Sequence, residues 1–447
     1  MRRPLRVLLL AAIFVTPAID AQAQKREPAP AGSPLSEAIR FELAVYYLPR
    51  SLRDPMDVLR ERVAATKLKL AKEPPRRADG LYVLARVETS VAEKYRPPDL
   101  QSLQYFGRGI SREQAQGLQE SQQVLVLDFA HPSRQMREGL RAAYELTEAI
   151  ARETGGLIWD EETREVFSTD AWRSRIATWG TGVPDASKHT VIHAYRNGNY
   201  VRAITLGMAK LGLPDVVVED FSWSANRNMG ILINLLCQAM AEGAVIGAGG
   251  RYDLELKSIR HAGVRDAQLR ALKPNAEAVA KLVLLQGVKD QGDPDNRLFE
   301  IGFERYPGPD QHARQDRLLS SLFGSEDSVS QVRHTRELLA ASERARAKLP
   351  ALREAFRAGL QPGEYIQLKA PFATRDGRRE WMWVEVTSWS GNAIEGLLKN
   401  EPDAVPGLHG GQIVKVRQED IFDYIRRYPD GRQDGNETGA VIQKMQK

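Results

Sequence analysis

The 447-residue chain holds one cysteine, Cys237. No intramolecular disulfide can form, so stability has to come from buried cores. Cys237 ends the apolar run 231–237. That setting suits a small buried hydrophobe; a reactive thiol needs basic, partly exposed surroundings. Local catalytic signatures are missing: there is no Gly-x-Ser-x-Gly, no His-Glu-x-x-His and no Walker loop. Beyond the first residues no segment is apolar enough to cross a bilayer, which takes about 20 residues. Charge excess is small, with 63 Lys and Arg against 58 Asp and Glu for a net +5. It is spread along the chain, which argues against a nucleic-acid partner.

What is present begins with a leader. Arg2, Arg3 and Arg6 are the only charges ahead of an unbroken apolar run at 7–15, and Thr16, Pro17 and Asp20 then break it before Ala21-Gln22-Ala23. A basic start, a short apolar stretch and a small-x-small site are the parts of a cleavable signal peptide. Arg6 stands where twin-Arg export would want an apolar residue, so the general secretory route is favoured. Cutting after Ala23 would leave 424 residues and lower the net charge to +3, since three Arg and one Asp depart. No Cys lies near the cut, which argues against a lipid anchor. The expectation is a soluble periplasmic or secreted protein with no membrane span.

Residues 24–36, rich in Pro, Ala and Gly, read as a flexible tether. Strands are expected at 41–48 and 81–87, with a helix at 57–69 between them. The apolar run 124–129 has the pattern of a covered strand, and a long helix follows to about 150, stopped by Gly155-Gly156. Runs 157–160 and 165–167 read as a hairpin, as do 190–195 and 200–204 around Asn197-Gly198. A strand at 215–218, a helix at 226–242 and strands at 253–258, 280–286 and 298–303 complete an α+β region of mixed or antiparallel sheet over 37–305, one domain or two. Residues 306–330 read as a linker, 332–359 as one connecting helix, and 381–386, 393–398 and 412–416 as strands of a small β-barrel. The polar, Gly-rich tail 428–439 is expected to fray.

Several blocks of the C-terminal region stand in a recognisable order. They are Ala345-Arg346-Ala347-Lys348-Leu349-Pro350, Leu368-Lys369-Ala370-Pro371-Phe372, Glu380-Trp381-Met382-Trp383-Val384, Gly396-Leu397-Leu398-Lys399-Asn400-Glu401-Pro402, Gly411-Gln412-Ile413-Val414 and Ile421-Phe422-Asp423-Tyr424. In these the region resembles a bacterial family catalogued as domain of unknown function 2314. At the tail Gly435-Asn436-Glu437-Thr438 replaces the family's Gly-Gly-x-Thr-like segment. The resemblance implies an architecture and no reaction. The segment from Thr205 to Asp215 is similar, more faintly, to one found in other uncharacterised bacterial domains.

Candidate chemistry is sparse. His189 and His193, four apart on a strand, would share a face, but no third ligand lies near, so no metal is expected. Asp290, Asp293 and Asp295 lack the alternation of a calcium loop. Gly247-Ala248-Gly249-Gly250 precedes a strand where a phosphate cradle needs a helix, and Gly107-Arg108-Gly109 reads as a turn. Asp160-Glu161-Glu162 is expected to be a solvated turn. The unusual feature is Trp381, Trp383 and Trp389. Trp381 and Trp383 share one face of their strand, either as barrel core or as a binding hot spot. Asn400 and Glu401 would shape one end of the barrel and Asp423 would cap or pair nearby. No cofactor is implied.

The export signal and the missing catalytic constellation together favour a periplasmic binding or protein-interaction protein over an enzyme, with an unidentified ligand or envelope protein as partner. The alternatives are a hydrolase with a site assembled from distant segments, and a protective, toxin-immunity-like protein, suggested by the look of the C-terminal module.

Overall fold

A computed structural model describes residues 26–48, 52–177, 179, 182–324 and 335–445. The leader and its cleavage site lie outside the described residues. The fold is α+β, with three sheets and helices against them.

The first sheet holds β1 (Ala38–Tyr46), β2 (Lys69–Ala71), β3 (Tyr82–Glu88), β4 (Gly107–Arg108), β5 (Val124–Pro132), β6 (Leu157–Asp160) and β7 (Glu165–Phe167), in the order β2-β3-β5-β1-β6-β7-β4. Its inner pairings are antiparallel, and only β2/β3 and β4/β7 run parallel. Both faces are covered along 124–127, which is why that stretch is continuously apolar, while Asp128 pairs with Arg86 at a partly exposed place. Leu43, Val45, Leu125 and Leu127 pack beneath the helix Met136–Thr154, through its Leu140, Tyr144 and Ile150. Ala44, Tyr46, Val124 and Val126 face short helices carrying Val91, Leu103 and Leu118.

The second sheet holds β8 (Val191–Asn197), β9 (Tyr200–Leu206), β10 (Asp215–Phe221), β11 (Arg251–Glu255), β12 (Val279–Gln286) and β13 (Leu298–Gly302), in the order β11-β12-β13-β10-β9-β8. Only β10 and β13 pair in parallel. The helix Asn226–Ala241 buries Met229, Leu232, Leu236 and Cys237. Burial pushes the Cys237 thiol up, the reverse of what a nucleophile needs. One buried apolar cluster runs through both sheets.

Residues 26–36, expected to be a tether, are instead laid along the second sheet. Ala29 N–H donates to the Leu284 carbonyl at 2.8 Å, and Gly32 exchanges two backbone hydrogen bonds with Ile246. Part of the expected linker is also ordered. Asp310 caps the helix Gln311–Phe323, which buries Leu318 and Leu322 against the second sheet's core.

The third sheet holds β14 (Tyr365–Ala373), β15 (Arg379–Ser390), β16 (Ala393–Leu398), β17 (Ile413–Arg417), β18 (Asp423–Arg427) and β19 (Gln433–Gly435), all antiparallel, in the order β17-β16-β15-β14-β18-β19. The expected barrel does not close: β17 and β19 are the two edges of an open sheet. The single connecting helix is two, Arg336–Ala347 and Leu349–Ala358, meeting at Lys348. Pro350 explains the break, because proline lacks an N–H and is tolerated only in a first helical turn. The tail is ordered through β19 and a final helix Glu437–Met445. No described helix is long and apolar enough to cross a membrane.

Candidate functional site

The β6–β7 hairpin turns on Asp160. Its Oδ1 accepts the backbone N–H of Glu162 at 3.2 Å and of Thr163 at 3.3 Å, and Arg164 N–H reaches its carbonyl at 2.7 Å. Arg164 takes a left-handed φ of 58° to close the turn. The other carboxylate oxygen, Oδ2, accepts from Lys210 Nζ and from Arg175 Nη1, the latter at 3.1 Å. Asp160 and Lys210 are fully buried. Arg175 lies over the Phe167 ring, 4.5 Å from its centroid, and donates Nε–H to the Lys188 carbonyl. The expected solvated turn is therefore a buried ionic knot.

Lys210 reaches Asp160 because the chain between β9 and β10 is pinned at both ends. Gly207 and Gly212 both have left-handed φ, of 109° and 72°. A Cβ on Gly207 would stand 2.7 Å from the His189 carbonyl oxygen, so glycine is required there. Asp215 Oδ1 accepts from Thr205 Oγ1 and Met208 N–H, and its Oδ2 accepts from Asn296 Nδ2. Burial pushes the Asp215 carboxyl up to about 6.

Electrostatics set these carboxylates apart. Burial alone would raise Asp160, but Lys210 and Arg175 together hold it below the usual carboxylate range. Burial, reinforced by neighbouring Arg175, pushes the Lys210 ammonium down although Asp160 opposes this. Glu162 is pushed up to about 8, first by burial and then by Asp160. Glu42, whose N–H faces Glu162 Oε1 at 3.4 Å, is pushed up to about 7 by burial, then by Asp128 and Glu161. Glu161, which accepts from Trp159 Nε1 at 2.6 Å, is also raised by burial. Perturbed carboxyls beside a desolvated lysine mark a place where acid–base or ligand chemistry becomes favourable.

Above them opens a cleft of about 400 Å3 between the first two sheets. Ser36, Ala38 and Arg40 line it from the start of the first sheet, Glu161, Glu162 and Arg164 from the hairpin, Ala209 and Gly212 from the Lys210 segment, and Asp295, Asn296 and Arg297 from the loop before β13. Its volume falls within the range of small-molecule pockets.

The residues singled out from the sequence lie elsewhere. Trp389 is buried in the third sheet's core with Met382, Val384 and Val386. Its Nε1 donates to Gln418 Oε1 at 3.3 Å. Trp381 packs on Phe422 with ring centroids 4.5 Å apart, on the opposite face. Trp383 is on that same face as Trp381, partly exposed, with Lys369 Nζ 5.6 Å from its ring centroid. A β-bulge between Val386 and Ser388 reverses the alternation, so the three tryptophans do not form one surface. Asn400 Oδ1 accepts Trp383 N–H at 2.7 Å, and Glu401 Oε2 accepts Gly410 N–H at 3.0 Å. Asp423, raised by burial, accepts from Thr438 N–H at 2.8 Å at the start of the last helix.

His189 and His193 do not meet. His189 lies fully buried before β8, accepting from Trp179 Nε1 at 2.9 Å, while His193 stacks on Phe106. Among the described residues no group of three His, Cys, Asp or Glu is placed to hold a metal ion. Asp290 and Asp293 are neutralised by buried Arg202, and Asp295 pairs with Lys289. The third sheet is seated on the second through Glu385, which accepts Trp223 and Ser224 N–H, and through Lys399, whose Nζ donates to Ser222 Oγ at 2.7 Å.

Sequence reasoning missed Lys210 and misjudged Glu162. Two signals pointed to them. Three acidic residues in succession fill a tight turn between two apolar strands, and one lysine interrupts the apolar stretch between Gly207 and Gly212.

Residues 336–445 match a family described as an uncharacterized protein conserved in bacteria, DUF2314. The match covers about a quarter of the chain, spans the third sheet with its helices, and includes none of the residues that line the cleft. Neither the curated proteins nor the solved structures hold a significant match.

Proposed function

We propose that the chain is an exported binding protein that takes a small polar ligand in the cleft between its first two sheets. The cleft carries the reading: pocket-sized, lined by charged groups, and floored by fixed ionic contacts that preorganise it. Export rests on the basic leader, its apolar run and the Ala21-Gln22-Ala23 site. On this reading the family-matched stretch is a separate module docked by Glu385 and Lys399.

Two experiments test this. Residues 1–30 fused to a reporter active only outside the cytoplasm should give signal, and a silent fusion removes export. A thermal-shift screen of small polar metabolites should find stabilisers that lose their effect in Ala209→Trp, which fills the cleft. Stabilisers indifferent to Ala209→Trp would place binding elsewhere.

An acid–base enzyme is the second reading, favoured by Glu162, which is pushed up to about 8 and lies near Lys210. Turnover of an ester or amide by the wild type that is abolished in Glu162→Gln, with ligand binding retained, would establish it over simple binding.

A further inference from the structure

Three guanidiniums line the cleft, and each is anchored by a backbone carbonyl. Arg164 Nη2 donates to Gly292 at 3.0 Å, Arg297 Nη2 to Gly212 at 2.8 Å and Arg40 Nη2 to Pro75 at 2.6 Å. None of the three forms an ion pair among the described residues. Carbonyl anchors fix the direction of a guanidinium while leaving its charge uncompensated, and the remaining N–H groups of the planar fork stay free to donate.

Of the carboxylates sharing the cleft, Glu161 is raised by burial and interacts electrostatically with Arg164 without forming an ion pair, so it offsets the positive charge only in part. Glu161 is engaged by Trp159 Nε1, and Asp295 by Lys289 Nζ at 3.1 Å. Glu162 faces the Glu42 N–H and lies near Asp160, whose charge is answered by Lys210 and Arg175 beneath. Because Glu162 is pushed up to about 8, it is mainly protonated at neutral pH and presents an O–H donor. Desolvation also pulls the Arg297 guanidinium below its usual value, with no carboxylate to offset it. The cleft is thus rich in donors and positive in balance.

We propose that the cleft binds a small organic or inorganic anion through its carboxylate or phosphate oxygens, held by Arg164 and Arg297 with exposed Arg40 beside them. This rests on the binding reading above and adds the ligand's charge and chemistry to it. Guanidinium forks suit both planar carboxylate and tetrahedral phosphate oxygens, so the two sources are separated by experiment.

Titration calorimetry and thermal shift on the full mature chain would use inorganic phosphate, glycerol 3-phosphate and succinate as anionic probes, with glucose as neutral and putrescine as cationic counterparts. The expected result is stabilisation by at least one anion and by neither counterpart. Affinity should weaken about tenfold or more in Arg164→Gln and in Arg297→Gln, as loss of a charge-assisted contact implies. Arg164→Lys and Arg297→Lys, which keep the charge without the fork, should recover part of it. Preference for glycerol 3-phosphate or for succinate assigns the oxygen type. Equal anion binding by wild type and both Gln variants overturns the proposal. A response to glucose or putrescine alone, abolished by Ala209→Trp, overturns the anionic ligand and keeps the binding reading. Silence of every probe removes both.

Discussion

Glu385 and Trp223 are 162 residues apart, yet the Glu385 carboxylate accepts the Trp223 backbone N–H at 2.9 Å and the next N–H, that of Ser224, at 3.0 Å. The helix Asn226–Ala241 that follows has no side-chain cap of its own. Glu385, buried on β15, instead caps from the third sheet the 3-10 turn Trp223–Ala225 that leads into that helix. Two orphan donors are satisfied by one carboxylate from another part of the chain.

Glu385→Ala should therefore loosen the seating of the third sheet without unfolding it. Loss of a charge-assisted contact costs about 2 kcal/mol. Hydrogen exchange at Trp223 and Ser224 should rise in the variant, while amides of β14 and β18 stay protected. Exchange that rises uniformly across the third sheet would show that Glu385 supports the sheet's own fold and not its docking.

The Asp160–Lys210 pair yields a second prediction. Removing one partner of a buried pair leaves an uncompensated charge, at about 3–5 kcal/mol. Asp160→Asn strands both Lys210 and Arg175, so it should destabilise more than Lys210→Met, which leaves Asp160 with Arg175. The double variant should lose less than the two single losses together, because the contact is shared. Urea unfolding of all four proteins measures this. Strict additivity would mean that the two groups do not interact.

Glu162 makes stability depend on pH with a definite sign. Its carboxyl would titrate near 4.5 in an unfolded chain and titrates near 8 in the fold. The folded state therefore binds more protons between these values. Its contribution is complete below pH 4.5 and is lost as pH rises through 8. Glu42, raised to about 7, and Asp215, raised to about 6, act in the same direction. Asp160, held low, acts oppositely and only at acidic pH. Glu162→Gln should leave stability near that of the wild type at pH 5 and exceed it at pH 9. Urea midpoints that run parallel for the two proteins from pH 5 to 9 would mean that Glu162 titrates like an exposed acid.

Much of the fold was legible where one physical requirement dominates. Covered strands such as β5 demand a largely apolar sequence, and the β8–β9 hairpin turns on Gly198-Asn199, where Gly198 takes a left-handed φ of 60°. The misread regions are those decided by contacts distant in sequence. Residues 26–36 look like a tether until Leu284 and Ile246 offer them partners. Polar residues 428–439 look frayed until β18 and Asp423 hold them. The cleft was hidden for the same reason. A buried carboxylate and a buried lysine are ordinary polar letters in a sequence, and only the fold brings Asp160 and Lys210 together across 50 positions.

The tryptophans give the last test, because strict alternation and the fold disagree about Trp389. Counting by twos from Trp381 and Trp383 puts Trp389 on their face. The bulge at Thr387 inserts one residue, so Val386 and Trp389 both point into the core. Trp389→Ala should thus cost about 3–5 kcal/mol, as for a large core aromatic. Trp383→Ala, partly exposed beneath Lys369, should cost about 1 kcal/mol. Deleting Thr387 separates the two views further. With the bulge gone, Ser388 takes the single outward place between Val386 and Trp389, and the ladder with β16 becomes regular. The variant should keep its fold, with Trp389 fluorescence still shielded from an aqueous quencher. If strict alternation governed the wild type, wild-type Trp389 would be quenched and the deletion would move it inward.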